Sequence, residues 1–204
     1  MKKMDRLVDD MISSNMLKSP LIIDAFRTID RKYFVPEEYA EDAYFDAPLP
    51  IGNYQTISQP STVAFMLERL DPQDGNTVLD IGSGSGWTTA LLCYMVGDKG
   101  SVTGLERVET LVEQGSENLA KFGFHTPCHI EKARDKLGLP GKQFDRILVS
   151  ASADEVPEEL FPQLKTGGIL VIPIGESIFK FTKISETQID KEEFYGFVFV
   201  PLIY

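Results

Sequence analysis

The run Asp80-Ile81-Gly82-Ser83-Gly84-Ser85-Gly86-Trp87 places three glycines at alternate positions directly after a short apolar stretch, Val78-Leu79-Asp80-Ile81. Glycine lets the backbone turn sharply and lets a ligand approach where a Cβ would hold it away. The spacing excludes several chemistries. A dinucleotide fingerprint needs its third glycine where Trp87 stands, and a phosphate loop needs Gly-Lys-Ser/Thr. A nucleophile elbow needs glycines two residues either side of a serine, and neither Ser83 nor Ser85 has them. Downstream, Glu106 ends the next apolar stretch, where a carboxylate accepts both hydroxyls of a ribose. Loop and acid together predict a nucleoside site with no strong demand for phosphate. S-adenosylmethionine, with a ribose and an adenine but no phosphate, fits. The competing expectation is a tight turn and a surface acid.

The surrounding elements must put that loop at a strand end. Two amphipathic helices are expected first. Met4, Leu7, Val8, Met11 and Ile12 share one helical face, as do Leu21, Ile22, Ala25, Phe26 and Ile29, with Ser19-Pro20 as cap and first turn. From Tyr33 to Pro60 neither period holds, which predicts a long ordered loop. Residues 61–70 return to helix. After Asp71-Pro72, strands at 78–81, 102–105, 144–150 and 169–174 alternate with helices ending at Tyr94, spanning 107–122 and spanning 157–164. Such alternation implies right-handed crossovers and a parallel sheet. Residues 178–184 and 194–201 read as an antiparallel pair closing one edge. The expected fold is α/β: a doubly wound, Rossmann-like sheet with an antiparallel edge and an N-terminal helical extension. It forms a single domain, 1–204, with residues 1–70 carrying the helices and an acceptor loop and residues 71–204 the cofactor-binding core.

Composition narrows the partners. The 204 residues are 43% hydrophobic and 25% charged, at the globular average. Twenty basic against thirty-one acidic residues give a net charge of −11, which argues against nucleic acid and against anionic membranes. No apolar run reaches the roughly 18 residues of a membrane span. Asp5, Asp9 and Asp10 rule out a signal-peptide core near the start. Cys93 and Cys128 are too few for a disulfide framework, so a reducing cytoplasm is expected. His125, Cys128 and His129 lack the fourth ligand of a closed metal site, and no metal is expected.

Several segments then resemble one family, the protein-L-isoaspartate O-methyltransferases. They are Tyr33-Phe34-Val35-Pro36, Ala43-Tyr44 through Asp46, Pro48 to Gly52, Gln55-Thr56-Ile57-Ser58-Gln59-Pro60, Val78 to Gly86, Phe144 to Val149, Glu155-Val156-Pro157, Leu164 to Gly168, Val171 to Gly175 and Phe199 to Leu202. The Gln55–Pro60 segment is the most discriminating, since many methyltransferases share the glycine loop.

The resemblance implies methylation, by S-adenosylmethionine, of the free carboxylate of L-isoaspartyl residues in damaged proteins, with S-adenosylhomocysteine as product. The ester then closes to a succinimide. A carboxylate is ionised at neutral pH, so no general base is needed. Alignment and removal of water suffice. The resemblance places the active-site hydroxyl at Ser58 and a substrate wall at Thr56, Ile57 and Gln59. It assigns Asp80, Gly82, Ser83, Gly84, Ser85, Trp87, Glu106, Arg107 and Ala133 to the cofactor, with Asp80 toward its cationic amino group. The strand at Val171–Ile174 is expected to pair with an extended peptide. Structural alternatives stand beside these roles: a helix-capping hydroxyl for Ser58, core packing for Trp87, a structural acid for Asp80. Where the family carries Gly-Asp-Gly the chain reads Lys132-Ala133-Arg134, with Glu131 and Asp135 the nearest carboxylates. That departure keeps two rivals open: a methyltransferase with another carboxylate acceptor, and a silent peptide-binding module. The expected assembly is a monomer.

Overall fold

The computed structural model describes residues 3–203. Its centre is a seven-stranded sheet. Strand β3 (Thr77–Ile81) is followed by β4 (Ser101–Glu106), β5 (Cys128–Lys132), β6 (Phe144–Val149), β7 (Leu164–Ile174), β8 (Ser177–Ser185) and β9 (Gln188–Tyr195). The spatial order is β5-β4-β3-β6-β7-β8-β9. The first five run parallel, and β8 and β9 add antiparallel at one edge. The order reverses between β3 and β6, which is where such sheets open a ligand crevice at their carboxyl ends.

The core follows the two-residue period of buried strands. Val78, Leu148 and Val171 point to one face, while their neighbours Leu79, Ile147, Val149, Leu170 and Ile172 point to the other. The first face carries the helices α1 (Lys3–Ser13), α2 (Pro20–Thr28), α3 (Pro60–Leu70), α4 (Trp87–Val96) and α5 (Glu109–Ala120), with Phe26, Leu67, Leu91 and Leu111 inside. The second face is closed by Leu137, Leu139 and Leu160. The N-terminal helices therefore share one core with the sheet. Helix α2 starts with Pro20 at its first turn, but Ser19 does not cap it. The Ser19 hydroxyl instead donates to Glu68 of α3 (2.7 Å), whose other oxygen accepts the Lys18 and Ser19 amides. Leu21, expected on the buried face, is exposed.

Four expectations are corrected. Residues 33–60 are not plain loop: three 3-10 turns lead into a hairpin of β1 (Leu49–Gly52) and β2 (Gln55–Ile57). The helix at 157–164 is a 3-10 segment, Glu158–Gln163, because Pro162 lies inside it. The last strand is Gln188–Tyr195 rather than 194–201; Gly196, at φ +104°, turns the chain out of the sheet. Finally, Cys93 and Cys128 are bonded to each other, with Cα atoms 6.1 Å apart. A framework needs many cysteines, but one bridge needs only proximity, and the crossover lays α4 beside the start of β5. The inference from free thiols to a reducing compartment falls with it.

Candidate active site

At the end of β3 the chain makes the glycine loop. Gly84 stands at φ +53°, and a Cβ there would press on Ile51 Cδ1 at 3.1 Å. Gly86, at φ +92°, would place a Cβ 3.0 Å from the Gly115 carbonyl of α5. Both are turns that only glycine makes without strain. The loop is braced from β4. The amides of Gly82 and Ser83 donate to Leu105 O (2.8 and 3.1 Å), and the Gly84 amide donates to Glu106 Oε2 (3.0 Å). Glu106 Oε1 accepts the Val108 amide (2.9 Å). Glu106 is buried, not the surface acid of the competing expectation.

Asp80 has no exposed surface. Its Oδ2 accepts the hydroxyls of Thr88 and Thr89, both at 2.7 Å. Burial pushes its carboxyl up to about 6 against those two bonds, and nearby Glu106 adds to the rise. Its Oδ1 has no partner. Among the described residues four buried side-chain polar atoms lack one: Asp80 Oδ1, Ser83 Oγ, Ser85 Oγ and Arg31 Nε. Three of the four belong to the end of β3 and the glycine loop that follows it. Buried polar atoms are normally satisfied, so a cluster of orphans points to a polar ligand that completes them.

The β1–β2 hairpin lies across this loop. Ile51 packs on Gly84, and at the tip Asn53 Nδ2 donates to Thr110 Oγ1 of α5 (3.0 Å). Thr56, Ile57 and Ser58 line the cleft beneath it with Gly82, Ser83, Gly84, Ser85 and Trp87. The Ser58 hydroxyl bonds no protein group among the described residues, so it does not cap α3. Trp87 serves both expectations. It lines the cleft, yet it is 1% exposed, stands edge-on to Phe26 at 5.5 Å and donates Nε1 to Ile29 O (3.4 Å). The cleft's volume is about 30 Å³, against roughly 300–1,000 Å³ for a small-molecule site. A cleft of that size is too small for a nucleoside and must widen to admit one.

Other expected residues lie outside that lining. Gln59 turns away, donating to Asp46 Oδ2 (3.1 Å) and Ser61 Oγ (3.0 Å). Arg107 is exposed. Ala133 gives its amide to Glu106 O (2.8 Å), which sets it beside the acid but occupies its donor. Arg134 and Asp135 are exposed and border a separate depression of about 440 Å³. The Val171–Ile174 strand cannot take a peptide. Its edges are filled by β6, by β8 and by Ala153, whose amide donates to Pro173 O (3.0 Å).

Sequence reasoning missed Arg31 and Ser150. Arg31 is fully buried, and burial lowers its pKa to about 10, opposed by Asp46. Nη1 donates to the carbonyls of Ala43 (3.1 Å) and Phe45 (3.3 Å). Nη2 donates to Ala47 (2.9 Å), Ile57 (3.5 Å) and Ser58 (3.0 Å). The guanidinium carbon lies 5.3 Å from the Trp87 ring centroid, within reach of a cation–π contact. One side chain thus ties the acceptor wall to the first residue of α4. An arginine just before the Pro- and aromatic-rich stretch was the available signal, since five donors suit a loop whose carbonyls lack a ladder. Ser150, directly after β6, also lines the cleft.

The model of the protein-L-isoaspartate (D-aspartate) O-methyltransferase family matches residues 2–204. The chain belongs to that family. Curated relatives include protein-L-isoaspartate O-methyltransferases of Methanopyrus kandleri and Thermococcus sibiricus. The first is 39% identical over 204 residues, 98% of this chain and 90% of the relative. The second is 40% identical over 209 residues, 99% and 94%. A Plasmodium falciparum crystal structure assigned to the same activity, in complex with S-adenosyl-L-homocysteine, superposes with a TM-score of 0.87 at 26% identity, covering 100% and 99% of the two chains. The α/β architecture is that of these methyltransferases. Among the described residues no helix is long and apolar enough to cross a membrane.

Proposed function

We propose that this protein transfers a methyl group from S-adenosylmethionine to the free carboxylate of L-isoaspartyl residues, as the first step of protein repair. Family membership supports the activity. The observation that carries the cofactor is the set of orphaned polar atoms at the end of β3 and on the glycine loop, Asp80 Oδ1, Ser83 Oγ and Ser85 Oγ. When bound, S-adenosylmethionine supplies an electrophilic methyl on a sulfonium and leaves as S-adenosylhomocysteine. Asp80 faces its cationic amino group, which favours the ionised carboxylate that burial alone disfavours. Glu106 spends one lone pair of each oxygen on the Gly84 and Val108 amides, leaving the others for ribose hydroxyls. Gly82, Gly84 and Trp87 form the floor, and Arg107 and Ala133 flank Glu106.

The acceptor needs no base. Ser58 donates to its carboxylate and orients it, while Thr56 and Ile57 exclude water; Gln59 holds their segment through Asp46. We read residues 1–204 as one methyltransferase unit, since α1 to α3 share the core of the sheet. The protein works as a monomer in the cytoplasm, where its methyl donor is made; a net charge of −11 favours dispersed copies.

Methyl transfer from labelled S-adenosylmethionine to an isoaspartyl peptide, beside its aspartyl twin, tests the reading. Labelling of the isoaspartyl peptide alone is expected. Cofactor binding without that labelling would replace the acceptor, and peptide binding without cofactor binding would leave a silent module.

A further inference from the structure

Five hydroxyls of the cleft lining, those of Thr56, Ser58, Ser83, Ser85 and Ser150, bond no protein group among the described residues. The proposed reaction assigns Ser83 and Ser85 to the cofactor and Ser58 to the acceptor, and leaves Ser150 unused. Ser150 follows β6 at the switch point of the sheet. Its amide donates to Ile81 O (2.9 Å), which pins it beside the end of β3. The glycine loop runs against it: a Cβ on Gly82 would lie 3.8 Å from the Ser150 carbonyl carbon. Like Ser58, Ser150 is half-buried, and its hydroxyl bonds no protein group among the described residues. Ser152, two residues on, is the contrast. Its hydroxyl is engaged by the carbonyls of Ala153 (3.4 Å) and Gly175 (3.2 Å), a structural use.

A carboxylate presents two oxygens and about four acceptor positions. In methyl transfer one oxygen attacks and loses its charge to the new ester bond, while the other keeps a carbonyl's acceptor capacity throughout. A single donor leaves the group free to rotate about that bond. Two donors from different elements fix its plane and hold the attacking oxygen in line. Ser58 comes from the acceptor wall, where Arg31 holds its carbonyl at 3.0 Å. Ser150 comes from the central sheet. Both residues line the same cleft.

We propose that the Ser150 hydroxyl is the second donor to the acceptor carboxylate, positioning it together with Ser58. This rests on the methyltransferase reading above. The test compares wild type, Ser150→Ala, Ser150→Thr, Ser58→Ala and the double Ser58→Ala/Ser150→Ala variant. Steady-state kinetics on one isoaspartyl peptide are measured beside calorimetric binding of S-adenosylhomocysteine. Ser150→Ala is expected to lower kcat/KM for the peptide about tenfold, the effect of one hydrogen bond to a charged group. Cofactor affinity should stay within about twofold. Ser150→Thr, which keeps the hydroxyl, should recover most of the loss. The double variant should lose less than the product of the single losses, because both groups hold one ligand. Wild-type kinetics in Ser150→Ala would overturn the proposal. So would a loss confined to cofactor affinity, or a Ser150→Thr variant as poor as alanine, which would mean packing. A wild-type protein that methylates no isoaspartyl peptide would instead overturn the functional reading, and the proposal with it.

Discussion

The two walls of the cleft are built by different means. The cofactor wall hangs from strand ends: the glycine loop takes its hydrogen bonds from Leu105 O and Glu106, and β3 is flanked by β4 and β6 along its length. The acceptor wall has no ladder beyond a two-stranded hairpin, and its carbonyls converge on the guanidinium of Arg31. One wall is redundant, since a lost contact leaves the sheet in place. The other gathers five of its carbonyls on a single side chain. Conformational freedom is therefore concentrated on the side that must admit both a nucleoside and a peptide, and the rigid side supplies the reference frame.

The sharpest way to break this contrast is to remove Arg31. Arg31→Ala takes the guanidinium from five carbonyls, two of them buried and three part-buried, and each buried group left unpaired costs about 1–3 kcal/mol. Water entering the space offsets part of this. A loss of about 3–5 kcal/mol of stability and near-complete loss of methyl transfer are expected, read by denaturant titration and the labelled-methyl assay. Arg31→Lys sharpens the point, because it keeps the charge but not the fork. Its activity should fall much further than its stability. Equal falls would make Arg31 a plain core residue.

The matching perturbation of the other wall is reduction of the Cys93–Cys128 bridge, which spans 35 residues. Loop-closure entropy sets its contribution at about 4 kcal/mol as an upper figure. Dithiothreitol is expected to lower the unfolding midpoint clearly. Turnover at 25 °C should remain, because β3 and β4 still hold the glycine loop. Loss of turnover in the reduced but folded protein would show that the cofactor wall is no more redundant than the acceptor wall.

A smaller effect comes from Asp80. Its folded pKa, near 6, lies above the ordinary carboxyl value. The folded chain thus binds this proton better than the unfolded chain does. The resulting contribution to stability is full below about pH 4 and is lost as pH rises through 6. Binding a cationic amino group has the opposite preference, since it needs the carboxylate. Cofactor affinity should therefore rise about tenfold between pH 5 and pH 7, while the free protein loses stability over the same window. Asp80→Asn should flatten both. Calorimetric binding and thermal melts across that range measure the two signs separately.

The same contrast decides what could be read from residues alone. The parallel half was legible because its signals are local: apolar runs at 78–81 and 144–149, the alternating glycines, and Glu106 one strand later. The acceptor half was legible only through resemblance, which located Ser58 and said nothing of what holds it. Arg31 left only a weak signal, an arginine beside a Pro- and aromatic-rich stretch, because its partners are backbone carbonyls, which carry no residue type. The disulfide was misread because two cysteines 35 residues apart acquire proximity only from the crossover. Gln59 and the 171–174 strand were misplaced because hydrogen bonding to Asp46 and pairing with β8 are long-range choices. Position 150 falls inside a run expected as strand, so nothing marked its hydroxyl as facing a cleft.

The gentlest test of the contrast is at the hairpin tip. Ile51 rests on Gly84 and Asn53 Nδ2 reaches Thr110 Oγ1 at 3.0 Å, so the hairpin is fastened at two points, and one of them is a single neutral hydrogen bond. Such a bond contributes about 0.5–1.5 kcal/mol. If the hairpin must lift for exchange, Asn53→Ala removes that amount from the closed state and leaves the open state unchanged. Release of S-adenosylhomocysteine should then quicken by about two- to tenfold in stopped-flow Trp87 fluorescence, with the unfolding midpoint lowered by only a few degrees. Thr110→Val should do the same, and the pair should add nothing beyond either single change. An unchanged release rate in both variants would mean that the cleft opens elsewhere. The mobile wall would then have to be sought on the cofactor side, against the rigidity argued for it here.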